Sequence, residues 1–344
     1  MSAATASTRT SGPGNGPNGV PAAIGLTPIL SARYKTEHLA RIAAAAPGSR
    51  IVTVSLEGLA DSDLSDVEVL LRGPMPQGIF DRLLSRCPRL MWVHSATAGV
   101  ERVLTPAALE RGIAITNARG VFSDPIAEYV LMMILAISRR LPLLLELQRE
   151  RTWQPLEGRE MADITVGVVG LGSIGTRVAE LALTFGSRVI ATRRQPGAPE
   201  GLTGRLEVLP PDKLPELMSQ SDFIVLALPL TSETEGMFDG PLLAQAKPGA
   251  WLINVARGAL IDDRALLRVV NEGHLGGAVL DAFRDEPLPT DSALYTTPNV
   301  IVTPHTSWSS GRVLDRSIGL FCENLERFRK GEPLLNLVDH SAGY

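Results

Sequence analysis

The sequence predicts an α/β protein of two units, each built on a parallel sheet covered by helices. Three observations predict it. Short apolar or β-branched runs alternate with helical stretches along nearly the whole chain, as they do where helices carry the crossovers of a parallel sheet. At 344 residues the chain is long for one domain and comfortable for two. One of the runs, Val166 to Gly170, breaks into three glycines spaced G-x-G-x-x-G (Gly170, Gly172, Gly175) and leads directly into an amphipathic stretch, Thr176 to Phe185.

Composition narrows the class. A hydrophobic content of 44% suits a globular protein with a sizeable core. A net charge of −4 offers no electrostatic case for nucleic acid or an anionic membrane surface. The longest apolar run, Tyr129 to Ile137, is too short to span a bilayer. Cys87 and Cys322 form neither a metal nor a redox spacing, and no metal is expected. Residues 1–23 are rich in Ser, Thr, Ala, Gly, Pro and Asn, have no apolar signal-like core and read as a disordered tail. A cytoplasmic protein is the expectation.

In chain order, the first strand-like runs are Ile24–Leu30, Arg50–Val54, Val67–Arg72, Leu90–His94 and Ile113–Thr116, with helical stretches at Thr36–Ala46 and Gln77–Arg86. No glycine fingerprint lies here. The turn Ser95–Val100 follows a strand; its residue types alone allow either a plain turn or backbone N–H groups facing a ligand. Asp124 then reads as a helix N-cap with Pro125 at the first helical position. The helix to about Arg140 is apolar on nearly every face and must be buried, between domains or against another subunit. Leu141-Pro142 bends or ends it. Later strands are expected at Arg188–Thr192, Phe223–Leu228, Trp251–Val255, Ala278–Leu280 and Val300–Thr303, with a helix over Asp262–Asn271. A last helix places Leu314, Ile318, Phe321, Leu325 and Phe328 on one face and stops at Gly331-Glu332-Pro333.

A lone G-x-G-x-x-G is weak in a chain of 32 glycines, and an ordinary strand–turn–helix corner has the same outline. With a strand before it and a helix after it, the motif is the Rossmann-type dinucleotide fingerprint. Gly170 allows the tight turn, Gly172 lets the backbone approach a pyrophosphate, and Gly175 lets helix and strand pack closely. The helix N-terminus supplies unpaired N–H groups.

Three polar motifs end the late strands: Asn254-Val255-Ala256-Arg257-Gly258, Asp281-Ala-Phe-Arg-Asp285-Glu286-Pro287 and Thr303-Pro304-His305. Together with the fingerprint, and in this order, they resemble the D-isomer-specific 2-hydroxyacid dehydrogenases over nearly the whole chain after the tail. The resemblance implies a catalytic Arg257 for the substrate carboxylate, His305 as general acid and base, and Glu286 orienting the imidazole and favouring its charged form. It implies cofactor contacts from Gly170, Gly172, Ser173, Ile174, Gly175, Leu228, Pro229, Val255 and Ala256, with Asp281 on the nicotinamide carboxamide. Thr97, Ala98 and Gly99 fall where the family binds the substrate carboxylate through backbone N–H groups.

The family fold wraps a Rossmann-type cofactor domain inside a flavodoxin-like substrate domain. The implied division is a tail over 1–23, a discontinuous substrate domain over 24–118 and 306–344, and a dinucleotide-binding domain over 119–305. The apolar helix from Ile126 resembles the family's dimer and crossover helix, so a homodimer is expected.

One departure bears on the cofactor. NAD enzymes keep an acid at the end of the second strand for the ribose hydroxyls. Here Val189–Thr192 runs into Arg193-Arg194, and no acid follows until Glu200. An arginine attracts a 2′-phosphate, which favours NADP over NAD, unless the pair is merely a solvated neighbour of an NAD site. The expected function is reduction of a small 2-oxoacid such as glyoxylate or hydroxypyruvate with NADP(H). Arg72 and Arg284 could serve further anionic groups, with a plain surface role favoured. Alternatives are a nucleotide-sensing, corepressor-like binding protein and a phosphoglycerate-type dehydrogenase, here expected without an added regulatory domain because little follows the last helix. Formate dehydrogenases have Gln where Glu286 stands, which disfavours them.

Overall fold

The computed structural model describes residues 19–29, 34–100, 102–195 and 197–339. These form two compact units. One comprises residues up to Val121 together with those from Arg312 onward; the other runs from Phe122 to Gly311.

The first unit begins with strand β1 (Ala23–Leu26), helix α1 (Thr36–Ala45), β2 (Arg50–Thr53) and β3 (Val67–Arg72). It continues with α2 (Gln77–Arg86), β4 (Trp92–Ser95), α3 (Pro106–Glu110) and β5 (Ala114–Thr116). The strands are parallel in the order β2-β1-β3-β4-β5, the flavodoxin-like arrangement. Ile24, Leu26, Val69, Leu71 and Trp92 pack on one side, while Leu70, Val93 and Ile115 join a second core. Burial on both faces explains why these strands are predominantly apolar rather than strictly alternating. The C-terminal helix, Val313–Lys330, covers the first side: Phe321 and Phe328 lie 5.4 and 5.6 Å from the Trp92 ring. Gly331 ends that helix in the left-handed conformation (φ 66°), which glycine adopts without a Cβ penalty.

Two expectations are corrected in this unit. Residues 19–23 do not belong to a tail: Gly19 N–H donates to the Arg329 carbonyl at 3.1 Å and Ala22 N–H to Glu68 at 2.9 Å. Residues 1–18 lie outside the described residues, as does Leu30 of the first expected strand. Arg72 is no surface residue. It is 2% exposed, its guanidinium sits 4.7 Å over the Phe80 ring, and it donates to the carbonyls of Met75 and Arg102 at 2.9 and 3.0 Å. Burial, then the nearby Arg102 charge, pulls its pKa down to about 10.

The second unit opens with α4 (Ser123–Ser138) and α5 (Leu141–Arg149), followed by β6 (Thr165–Val169), α6 (Ser173–Thr184), β7 (Arg188–Thr192) and β8 (Glu207–Leu209). It closes with α7 (Leu214–Gln220), β9 (Phe223–Leu226), α8 (Gly240–Leu243), β10 (Trp251–Asn254), α9 (Asp263–Asn271), β11 (Gly277–Leu280) and β12 (Val300–Val302). The seven parallel strands run β12-β11-β10-β9-β6-β7-β8. That is the doubly wound Rossmann order extended by one strand, with its reversal between β6 and β9.

Asp124 is not the N-cap of α4. The helix starts one residue before it, and the carboxylate instead accepts a bond from Arg177 Nε on α6 at 2.9 Å. Helix α4 buries Ile126, Ala127, Val130, Met133 and Ile134 against the unit, yet Met132 is 51% exposed. Arg140 takes the left-handed conformation (φ 57°) and Pro142 sits in the first turn of α5, so the chain turns there. No residue of α5 is buried, and Trp153 beyond it is wholly exposed. Among the described residues no helix is long and apolar enough to cross a membrane.

Candidate active site

The carboxyl edge of the second sheet gathers nearly all the polar motifs. Along the edge lie His305 beyond β12, Asp281 and Glu286 after β11, Arg257 after β10, and Leu228 and Pro229 after β9; then come the glycine turn after β6 and Arg193 after β7. Neighbouring strands are ~4.8 Å apart, so the Arg257, Glu286 and His305 loops leave strands spanning about 10 Å of edge. They lie on one side of the strand-order reversal, where open α/β sheets bind ligands, and Arg193 lies on the other.

At the glycine turn, Gly170 has φ 96°, and a Cβ there would meet the Ala227 carbonyl at 2.8 Å. A Cβ on Gly175 would lie 2.0 Å from the Gly170 carbonyl, so close approach of α6 to the turn excludes any side chain. Gly172 is different. It is exposed, has φ −83°, and its added Cβ would meet nothing within 4 Å. Neither backbone strain nor packing demands glycine at 172, and the space beside it is open. Helix α6 starts at Ser173 rather than Thr176, so the N–H groups of Ser173 and Ile174 belong to its first turn, where an anion is favoured. The residues therefore fit a dinucleotide pyrophosphate. Gly170 and Leu171 N–H both donate to the Thr192 carbonyl at 3.2 Å, which ties the turn to the residue before Arg193. Arg193 donates to neutral oxygens of its own loop, Gln195 Oε1 at 3.2 Å and Gly197 O at 3.3 Å. Arg194 is exposed beside it.

The Arg257 loop is held from below by Asn254, whose side chain is fully buried at the end of β10. Asn254 Oδ1 accepts from Ala256 N–H at 3.0 Å, and Nδ2 donates to the Arg257 carbonyl at 2.9 Å. One amide thus satisfies both sides of the turn, and Val255 and Ala256 are buried within it. Gly258 lets the Phe283–Arg284 backbone pass where a Cβ would lie 2.0 Å from Phe283 C. That contact packs the Arg257 loop on the loop that carries Glu286.

Glu286 and His305, 19 residues apart, form the central pair. His305 Nδ1 lies 2.9 and 3.0 Å from the two carboxylate oxygens, and Glu286 Oε1 also accepts from Phe283 N–H at 3.0 Å. An ionised carboxylate only accepts, so Nδ1 carries the proton and Nε2 points its exchangeable site elsewhere. His305 has φ 48°, an uncommon backbone conformation for a residue with a side chain. Asp281 is 1% exposed, and its carboxylate accepts from Thr303 Oγ1 (2.6 Å), Thr306 N–H (2.8 Å) and Ser307 N–H (2.9 Å). Asn254, Thr303 and Tyr129 contribute to this architecture without a role assigned from sequence. Motif spacing hints at the first two; Tyr129, in a different element, had no sequence signal beyond being a polar tip in an apolar helix.

Thr97, Ala98 and Gly99 belong to the first unit, after β4. Thr97 Oγ1 donates to the Gly99 carbonyl at 2.8 Å, and Asn117 Nδ2 to the Ala98 carbonyl at 3.0 Å. The turn is therefore a pinned one rather than a slack connection.

Residues 131–307 match the family described as D-isomer specific 2-hydroxyacid dehydrogenase, NAD binding domain. The chain belongs to the D-isomer-specific 2-hydroxyacid dehydrogenase family. It is 36% identical over 263 residues to a D-3-phosphoglycerate dehydrogenase of Mycobacterium tuberculosis, covering 76% of this chain and 49% of that one. The chain thus spans about half the length of such relatives. It is 33% identical over 303 residues to a glyoxylate reductase of Korarchaeum cryptofilum, covering 86% of this chain and 87% of that one. Among solved structures, it resembles the NADPH-dependent glyoxylate/hydroxypyruvate reductase of Sinorhizobium meliloti in complex with NADP and sulfate. That likeness has a TM-score of 0.80 at 30% identity, over 94% of this chain and 100% of the other.

Proposed function

We propose that this protein reduces a small 2-oxoacid, of the glyoxylate or hydroxypyruvate kind, to the D-2-hydroxyacid with NADPH. The observation that carries the proposal is the His305–Glu286 pair, held on the same sheet edge as Arg257 and the open glycine turn. The bound nicotinamide supplies the hydride. Arg257 holds the substrate carboxylate with its planar fork. His305 gives a proton from Nε2 to the carbonyl oxygen as the hydride arrives, and takes it back in the oxidative direction. Glu286 keeps the ring in the Nδ1–H form and offsets the charge on the imidazolium.

The preference for NADPH rests on Arg193. Its position one residue beyond Thr192, whose carbonyl accepts from the glycine turn, supports reading it as a neighbour of the adenosine end of a dinucleotide held by that turn. Its bonds to neutral oxygens are ones a 2′-phosphate would readily replace. The NADP of the Sinorhizobium meliloti structure accords with this. Assembly as a homodimer is part of the same proposal: Leu141, Leu143, Leu144 and Leu145 of α5 are 38–45% exposed, a patch that a second copy would cover. A cytoplasmic location fits the cofactor. The test is a panel of small 2-oxoacids with NADPH and NADH, followed by loss of nicotinamide absorbance; no turnover with any of them overturns the proposal.

A further inference from the structure

The Asp281 carboxylate closes around the segment that carries His305. It accepts one bond from Thr303, two residues before the histidine, and two from the N–H groups of Thr306 and Ser307 after it. The histidine between them holds φ 48°, a conformation that persists only where the surroundings over-determine it. His305 N–H adds a bond to the Thr303 carbonyl at 2.9 Å. The segment is therefore anchored to one buried group on both sides of the ring, by a side chain before it and by backbone N–H groups after it.

A second element reaches into this anchor. Tyr129 of α4 places its hydroxyl 2.6 Å from Thr303 Oγ1. The direction of each bond follows from the donors available. A carboxylate accepts, so Thr303 donates its only side-chain proton to Asp281. Its oxygen must then accept from Tyr129 O–H. Burial first, and the Asp281 charge with it, pushes the Tyr129 pKa up to about 12, opposed only by the bond to Thr303, so the phenol keeps its proton at neutral pH. The chain Tyr129 → Thr303 → Asp281 points one way, and each polarised donor strengthens the next bond. Without the phenol, the Thr303 hydroxyl keeps one partner instead of two.

We propose that Tyr129 is a positioning residue for His305, acting through Thr303 and Asp281. The inference rests on reading His305 as the group that transfers the proton. It gives α4 a part in the chemistry although no side chain of α4 belongs to the polar motifs. Proton transfer needs hydrogen-bond reach, and a misplacement of ~1 Å is enough to cost about 10²-fold in rate. Loss of one anchor among several should cost less, roughly 10-fold in kcat, with KM and NADPH affinity within about twofold of wild type.

The experiment uses Tyr129→Phe and Thr303→Val in the full chain, singly and together, and each again with His305→Ala. Two readouts are needed: steady-state kinetics with glyoxylate or hydroxypyruvate and NADPH, and NMR relaxation of the His305 ring in the protein without substrate. The ring signal is assigned by its loss in His305→Gln. The expected result is a lower kcat and a more mobile ring in Tyr129→Phe, no further loss when it is added to Thr303→Val, and no effect on the residual rate of His305→Ala. An unchanged ring, additive losses with Thr303→Val, or an equal loss in the His305→Ala background would overturn the proposal. A wild-type protein without turnover would sink the reductase reading instead, and the ring measurement would then decide the role of Tyr129 alone.

Discussion

Replacing Gly172 with alanine separates a glycine required by the fold from one required by a ligand. At Gly175 the answer is steric, since the new Cβ would meet a carbonyl at 2.0 Å. At Gly172 the Cβ meets nothing within 4 Å and φ is −83°, so the folded backbone accepts alanine. Two small effects then oppose each other. Losing glycine's freedom in the unfolded chain stabilises by about 0.4–1 kcal/mol. Against this, residue 172 is the N-cap of α6, where alanine is worse than glycine by an amount on the order of 0.5–1 kcal/mol. The net change should stay within about 0.5 kcal/mol, or roughly 2 °C in Tm for a unit of this size. Cofactor binding should respond far more. The methyl group occupies the space offered to the pyrophosphate, and loss of even one charge-assisted bond, worth ~1.5–3 kcal/mol, weakens affinity about 10- to 150-fold. Thermal unfolding without ligand and fluorescence titration with NADPH and NADH give the two numbers. An unchanged Kd would mean that the turn does not hold the pyrophosphate, and a large fall in Tm would mean that the open space at Gly172 has been misread.

Three further outcomes are expected. His305→Ala should lower kcat by roughly 10²–10⁴-fold with NADPH affinity nearly unchanged; near-full turnover would remove His305 from proton transfer. Arg193→Asp should reverse a wild-type preference for NADPH over NADH in kcat/KM, and rising salt should weaken NADPH binding more than NADH binding in the wild type; a wild type that prefers NADH at low salt refutes the assignment. His94 is fully buried beside Thr116, and desolvation pushes its pKa from 6.5 down to about 3. A folded value below the unfolded one means that stability is intact above pH 6.5 and is lost as pH falls, by up to ~1.4 kcal/mol per pH unit. His94→Phe should flatten that decline between about pH 6 and 4 in acid-titration unfolding curves, and an identical slope would show that other groups set it.

Much of the architecture was legible in the chain because local chemistry and burial agree there. Strands β3 and β7 and helix α2 lie at the residues expected, since short apolar runs rich in Val, Leu and Ile and a strongly amphipathic stretch admit few other solutions. The glycine spacing likewise announced its turn, because Gly170 and Gly175 are demanded by backbone geometry within a few residues of sequence. Helix ends were less legible. Phe122 rather than Asp124 precedes α4, because Arg177 on α6 draws the Asp124 carboxylate into an ion pair. The tail was overestimated at its inner end, because the partners of Gly19 and Ala22 are Arg329 and Glu68, far away in sequence.

The candidate site divides along the same line. Sequence alone determined which residue types stand at the strand ends, since a parallel sheet must return the chain to the same edge after each crossover helix, and the motifs follow the strands directly. Tertiary structure decided what those residues do to one another. It spent the Asp281 carboxylate on the backbone around His305, set Asn254 under Arg257, turned Arg72 from an expected surface charge into a buried brace, and brought Tyr129 from α4 to Thr303 across 174 residues. The physical reason is that a hydrogen bond depends on atoms meeting within about 3 Å, a condition set by the packing of whole elements rather than by the residues that flank each group.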